Sequence, residues 1–199
     1  MMSKLLVLKS SIMGDASQSN ALIDDFLAAR RAKGLDDEII EHDLTALDLP
    51  VLDGELFGAL RGAQPIGERA QRVVALSDRL IAELKASDLL LIGAPMYNLN
   101  VPTQLKNWFD LVTRAGMTFN YTAHYPVGLV AGVKAIVVSS RGGVHVGQLT
   151  DAVTPYLRGV LGLIGVNDVE FIYAEGLDTR PHGRAQGIAQ AQTTIAQLA

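Results

Sequence analysis

Three short, uninterrupted apolar runs at wide spacing constrain this 199-residue chain more than any other feature. They are Leu5-Leu6-Val7-Leu8, Leu89-Leu90-Leu91-Ile92 and Ala135-Ile136-Val137-Val138. Successive side chains of a strand point to opposite faces, so a strand with one wet face alternates polar and apolar residues. A strand with no polar position over four residues has to be covered on both faces, as in a parallel sheet held between helices. Two weaker runs, Glu38-Ile39-Ile40-Glu41-His42 and Val169-Glu170-Phe171-Ile172-Tyr173, alternate more and fit strands nearer the sheet edges.

Helix-period segments separate the strands. Leu22, Ile23, Phe26 and Leu27 form one apolar stripe after Ser17, and Val73, Leu76, Leu80, Ile81 and Leu84 form another. Leu105, Trp108, Phe109 and Val112 repeat the pattern, with Trp108 and Phe109 read as core. Val153, Tyr156, Leu157, Val160, Leu161 and Ile164 follow it, as do Ile188, Ile195 and Leu198 near the end. Strands and helices therefore alternate, and crossover helices are what parallel strands need. The expected architecture is an α/β three-layer sandwich with a five-stranded parallel sheet and helices on both faces. Five strands favour the flavodoxin-like order 2-1-3-4-5 over a six-stranded dinucleotide fold. No repeat or interdomain linker is visible, so residues 1–199 are read as one domain. Two long connections break the alternation: Leu47 to Gln64, with room for a short helix at Gly54–Arg61, and Met117 to Gly132. Connections of this length are usually functional or flexible.

Composition removes several kinds of chemistry. There are no cysteines, which excludes disulfides, thiolate nucleophiles and iron–sulfur clusters. Seventeen basic against 21 acidic residues leave a net charge of −4, without global attraction to nucleic acid or anionic membranes. Only four apolar residues lie between Lys4 and Lys9, too few for a signal-peptide core, and the stretch Leu89 to Ala94 is far too short to span a bilayer. Asn120-Tyr121-Thr122 matches a glycosylation acceptor, but without a secretion signal the match is read as chance. The expectation is a cytoplasmic protein. His42, His124, His145 and His182 show no metal-ligand spacing, so no metal site is expected.

In an open α/β sheet, ligands bind beyond the carboxyl ends of the strands, near the switch in strand order. The relevant loops here follow strands one, three and four. The first runs Ser10-Ser11-Ile12-Met13-Gly14-Asp15-Ala16-Ser17-Gln18-Ser19-Asn20. It contains neither G-x-G-x-x-G nor G-x-x-x-x-G-K-[ST], but places Ser11, Ser17 and Ser19 around a helix N-terminus. Free N–H groups and about half a positive charge make such a terminus an anion site. Ser17 is open to two readings, a phosphate ligand or simply an N-cap. The second loop, Ala94-Pro95-Met96-Tyr97-Asn98-Leu99-Asn100-Val101-Pro102, offers a stiff turn, with Met96 and Tyr97 beside it as flat or polarizable surface. The third, Ser139-Ser140-Arg141-Gly142-Gly143-Val144-His145, pairs glycines that let a ligand approach the backbone. His145 is either a ring contact or a solvated loop residue. Arg61 either meets a cofactor phosphate or lies free on the surface. A phosphate at the first loop and a flat heterocycle between the other two describe a flavin mononucleotide, FMN.

The strings Leu8-Lys9-Ser10-Ser11, Ser17-Gln18-Ser19-Asn20, Ala94-Pro95-Met96-Tyr97-Asn98, Thr103-Gln104-Leu105-Lys106-Asn107 and Ser140-Arg141-Gly142-Gly143 resemble the bacterial FMN-dependent NADH-azoreductases, also described as FMN-dependent NADH:quinone oxidoreductases. The likeness includes Pro50-Val51-Leu52-Asp53-Gly54 and Arg114-Ala115-Gly116 and spans nearly the whole chain. It implies a homodimer with one FMN per subunit and an active site at the interface. It further implies flavin contacts from Ser11, Ser17, Gln18, Ser19, Met96, Tyr97, Asn98, Leu99, Ser140, Arg141, Gly142 and Gly143. The implied reaction is ping-pong, with NADH as donor and quinones or aromatic azo compounds as acceptors. The resemblance puts Tyr121 and His145 by the flavin, where both are candidate proton donors. Leu99 and Leu163 stand where a relative carries phenylalanine, a departure that bears on acceptor range.

Three other classes compete. A flavodoxin-type electron carrier without NADH turnover shares the fold, but such carriers are smaller and more acidic. A phosphoacceptor receiver needs an acidic cluster at the strand ends, where this chain has Lys9-Ser10 and Pro95-Met96. A hydrolase elbow, G-x-S-x-G, is absent.

Overall fold

The computed structural model describes residues 2–64, 67–180 and 183–199; His182 lies outside the described residues. The main sheet contains β1 (Ser3–Lys9), β2 (Asp37–Asp43), β3 (Leu89–Gly93), β6 (Lys134–Ser140) and β7 (Val169–Ala174). All its pairs are parallel and the order is β2-β1-β3-β6-β7, the expected 2-1-3-4-5 of its five strands. The three apolar runs are the three central strands. All five residues of β3 are buried, whereas the edge strand β2 alternates between half-buried and exposed positions.

Alternation along the strands sorts their side chains into two cores. Leu6, Leu8, Leu90, Ile92, Ala135 and Val137 point to one face. They meet α2 (Gly54–Leu60), α3 (Gly67–Ala86), α4 (Thr103–Val112) and α5 (Val153–Ile164). Leu5, Val7, Leu89, Leu91, Ile136 and Val138 point to the other, against α1 (Gln18–Ala32) and α6 (Gly183–Leu198). Each fully buried leucine or valine contributes about 1.5–3 kcal/mol, so both faces of the sheet have to stay covered. Trp108 and Phe109 are core, packed edge to face at 5.1 Å. At the end of α1, Arg30 makes two hydrogen bonds to Asp37, at 2.6 and 2.8 Å, and so anchors the start of β2.

The two long connections are not structureless. In the first, Asp53 caps α2 by accepting the Leu56 N–H at 2.9 Å. The second folds into an antiparallel hairpin that the sequence does not announce, β4 (Phe119–Asn120) with β5 (Val127–Gly128). Two residues per strand carry no readable periodicity. The hairpin docks on the end of α5, where the Val130 N–H donates to Ile164 O at 2.9 Å. Contact there is so close that a Cβ on Gly128 would lie 2.1 Å from the Gly165 nitrogen. Among the described residues, no helix is long and apolar enough to cross a membrane.

Gly128→Ala should therefore push the hairpin off α5 and cost about 1–3 kcal/mol in denaturant unfolding. Ala131→Ser, three residues away and exposed, should stay within about 0.5 kcal/mol of wild type. A Gly128→Ala protein as stable as wild type would contradict this docking.

Candidate functional site

The loops after β1, β3 and β6 emerge side by side at the carboxyl edge of the sheet and enclose a cavity of about 290 Å³. Ser11, Ser17, Gln18, Met96, Tyr97, Ser140, Arg141 and Gly142 all line it. Ser19 is fully buried behind Ser17, their hydroxyls 3.2 Å apart. Asn98 and Gly143 adjoin lining residues in sequence and Leu99 follows Asn98, but none of the three is part of this wall. Its remaining lining includes Met13, Ala16, Pro95, Leu177, Asp178 and Arg184, which the sequence does not single out.

Hydrogen bonds between loops hold the cavity's shape. The Ser10 hydroxyl donates to Gly93 O at 2.5 Å, which ties β1 to β3. The Ser11 hydroxyl shares a 2.9 Å bond with the Tyr97 hydroxyl, which also accepts the Ile12 N–H at 3.3 Å. Ser17 is the N-cap of α1, accepting the Asn20 N–H at 3.1 Å, and it lines the cavity as well. The first-turn N–H groups of Gln18 and Ser19 have no intrahelical acceptor. The nearest basic residue in sequence, Lys9, is not available to this terminus. Its ammonium is paired with Asp24 at 2.9 Å and Glu41 at 3.0 Å. The positive potential at this end of the cavity comes from the helix terminus; Arg184, which also lines the cavity, is paired with Asp178 at 3.4 Å.

The β3 loop closes with a tight turn, Tyr97 and Asn100 exchanging N–H···O bonds of 2.9 and 3.0 Å. Its two central residues are left-handed, Asn98 at φ 48° and Leu99 at φ 66°. Asparagine tolerates this region, whereas leucine pays about 1–2 kcal/mol to occupy it. Strain of this kind clusters at functional sites. On the far side of the turn, Tyr97, Asn98, Asn100, Val101, Thr103, Lys106 and Tyr156 line a second hollow of about 470 Å³. Burial, with Asp110 nearby, pushes the Tyr156 phenol well above its ordinary value and keeps its proton in place.

In the β6 loop, Arg141 is turned inward. Its buried guanidinium meets Asp151 at 3.1 Å, Glu175 at 3.3 Å and the Thr154 hydroxyl at 2.9 Å, and stacks 4.9 Å from the Tyr173 ring centroid. Its N–H donates to Ala174 O and its carbonyl accepts from Leu177. What this loop leaves free toward a ligand is the Gly142-Gly143 backbone, whose N–H groups meet no acceptor among the described residues. A Cβ on Gly142 would lie 2.5 Å from the Asp178 carboxylate, and one on Gly143 2.7 Å from the His145 ring, so a larger residue at either position would push these side chains aside. His145 is not a free loop residue: its ring lies against Gly143, and its Nδ1 is bonded to the Thr150 hydroxyl at 2.8 Å.

Tyr121 is elsewhere. It sits after β4, packed edge to face on Phe119 at 5.1 Å and 5.8 Å below the Arg61 guanidinium. Arg61 in turn covers the Phe57 ring at 4.9 Å. Tyr121, Arg61 and Leu163 do not line the cavity between the loops, and neither does His145, which stands behind Gly143. Among the described residues, no group of three or more histidine, aspartate or glutamate side chains is placed to hold a metal.

Burial opposes ionisation of Asp151, but hydrogen bonds from Thr154 and Arg141 outweigh it and hold the carboxyl below its ordinary range. A depressed carboxylate adds stability above the ordinary value of about 4 and loses it as pH falls toward the lower folded value. Asp151→Asn should cost about 1.5–3 kcal/mol at pH 7. In urea titrations the gap to wild type should close between pH 5 and the acid limit; a gap unchanged by acid would show that the charge is not its source.

Comparison with known proteins agrees with this geometry. A family model described as flavodoxin-like fold matches residues 3–199. An FMN-dependent NADH:quinone oxidoreductase 4 of Burkholderia lata is 69% identical over 197 residues, 99% of both chains. An FMN-dependent NADH:quinone oxidoreductase of Aeromonas salmonicida is 58% identical, with both chains fully covered. Among solved structures, an azoreductase from Bacillus anthracis superposes with a TM-score of 0.85 at 26% identity, covering 99% of this chain and 100% of that one. An FMN-dependent NADH-azoreductase from the same species, solved with FMN, gives 0.86 at 21% identity over 99% and 97% of the chains, a likeness of fold. The chain belongs to the flavodoxin-like fold family and, within it, to the FMN-dependent NADH:quinone oxidoreductases.

Proposed function

We propose that the protein is an FMN-dependent NADH:quinone oxidoreductase that also reduces aromatic azo compounds, built as one FMN-binding domain over residues 1–199. The observation that carries this reading is the cavity itself. At one end are serine hydroxyls and free N–H groups of a helix terminus, suited to a phosphate without Lys or Arg. At the other are a tyrosine-bearing turn and two glycines that admit a flat ring to the backbone. The residues present fit FMN.

In this reading Ser11, Ser17, Gln18 and Ser19 hold the phosphate end. Met96, Tyr97, Asn98, Leu99, Ser140, Gly142 and Gly143 surround the ring, with Arg141 acting through the loop it braces. When bound, FMN supplies the two-electron chemistry, taking a hydride from NADH and passing both electrons to the acceptor. The chain's task is orientation and exclusion of water. The N–H groups of Gly142 and Gly143 offer hydrogen bonds to negative charge at the ring, and His145, fixed by Thr150, stands beside them as a proton source. A quinone takes two electrons and two protons; cleaving an azo bond to two amines takes four electrons, hence two NADH. The cytoplasm, where NADH is at hand, is the compartment that suits this donor.

We further read the active unit as a homodimer with its site at the interface. Tyr121 lies away from the cavity of its own chain, among exposed Phe57, Tyr125 and Val127. Such an apolar surface suits a subunit contact, and a second subunit is the way for Tyr121 to reach a flavin.

Purified protein should show a flavin absorption spectrum and sustain NADH oxidation beyond one equivalent per flavin when a benzoquinone is supplied. A colourless protein that cannot be loaded with FMN would overturn the reading. Ser17→Ala combined with Ser19→Ala should weaken FMN binding at least about tenfold, since one hydrogen bond to a charged group is worth about 1.5–3 kcal/mol. Unchanged affinity would remove the phosphate assignment. On dilution, turnover should vanish before the protomer unfolds, and full activity in a demonstrated monomer would refute the interface site.

A further inference from the structure

The first part of the loop after β6 takes its shape from the segment after β7. As far as residue 143 it is zipped to the segment after β7 by backbone bonds. The N–H groups of Gly176, Leu177 and Asp178 donate to the carbonyls of Gly143, Arg141 and Gly142, at 2.9, 3.1 and 3.0 Å. Beyond Gly143 this ladder stops, and one side chain takes over. Glu175 Oε1 accepts the N–H of His145 at 2.8 Å and that of Val146 at 3.0 Å, and faces Arg141 Nη1 at 3.3 Å. A carboxylate oxygen, with lone pairs to spare and no proton to donate, is suited to collect several donors at once.

Two explanations of Glu175 compete. It either neutralises the buried guanidinium of Arg141 or positions the backbone of residues 145 and 146. Geometry separates them. Arg141 already has Asp151 at the shorter distance of 3.1 Å, whereas the shortest bonds of Glu175 go to the two backbone N–H groups. Only Val144 separates these two groups from the Gly142-Gly143 pair, and the His145 ring packs back on Gly143. The ladder holds Gly142 and Gly143 and Thr150 tethers the imidazole at Nδ1; what the grip on His145 N–H fixes is the backbone that carries the ring back over Gly143.

We propose that Glu175 is a positioning residue of the flavin site: by gripping the N–H groups of His145 and Val146, it sets where the backbone beyond the glycine turn, and with it the His145 ring over Gly143, stands toward the flavin. The inference rests on the flavin reading above. It makes reach, rather than charge, the property that matters at this position. Glutamine keeps the reach and an acceptor oxygen but loses the charge. Aspartate keeps the charge and loses one methylene of reach.

The two variants therefore predict opposite orders. Glu175→Gln should bind FMN within about threefold of wild type in fluorescence titration of the apoprotein, with an unchanged visible spectrum. Glu175→Asp should bind at least tenfold more weakly and show a displaced flavin band. The reverse order would assign Glu175 to Arg141 and overturn the proposal, and so would equal binding, or equal loss, in both variants. If the aspartate variant does not fold, hydrogen exchange in the wild-type apoprotein decides. The amides of His145 and Val146 should be protected there and remain so in Glu175→Gln; exchange at the unprotected rate in wild type overturns the proposal. Failure of wild type to bind FMN would instead sink the flavin reading, while the exchange data would still report whether Glu175 holds the loop.

Discussion

Coverage of β1, β3 and β6 on both faces is the constraint from which the rest of the structure follows. Strands that expose no polar side need helices above and below, and parallel strands joined by helices place all their carboxyl ends along one edge. The order β2-β1-β3-β6-β7 then brings the loops after β1, β3 and β6 side by side. The core thus has a functional product: three segments distant in sequence converge on one cavity, although none of them alone resembles a binding site strongly.

The cavity is stiff where a ring has to be held and open in hydrogen bonding where a ligand can be received. The Tyr97 hydroxyl bridges two loops, and the strained Asn98-Leu99 turn is locked by the Tyr97–Asn100 exchange. Behind the glycines, a buried ionic cluster of Arg141, Asp151 and Glu175 binds the β6 loop to α5 and to the segment after β7. Charge is thus spent on architecture, while the donors left facing the ligand are backbone N–H groups and hydroxyls. This explains how a chain of net charge −4 can hold a phosphate.

Much of the fold was legible because burial on both faces leaves a local mark. Four consecutive apolar residues at Leu89–Ile92 announce a central strand, and the alternating run at Glu38–His42 announces an edge. The β4–β5 hairpin leaves no such mark, since two residues per strand are too few for a period. At the site, the loops could be read from their serines, prolines and glycines, but the partners of Arg141 could not. Glu175 lies 34 residues away in sequence, and nothing local pairs them. The inward turn of Arg141 and the placement of Tyr121 on the far hairpin are likewise products of tertiary packing. Ser17, read as either a cap or a phosphate ligand, caps α1 while also lining the cavity.

The central claim is that this cavity holds an FMN that carries two electrons from NADH to a quinone. Anaerobic mixing of the FMN-loaded protein with NADH, followed by a quinone, tests it most directly. The account predicts that one NADH per flavin bleaches the visible band and that one quinone restores it, with NAD⁺ released in between. A bound flavin that NADH cannot bleach would contradict it.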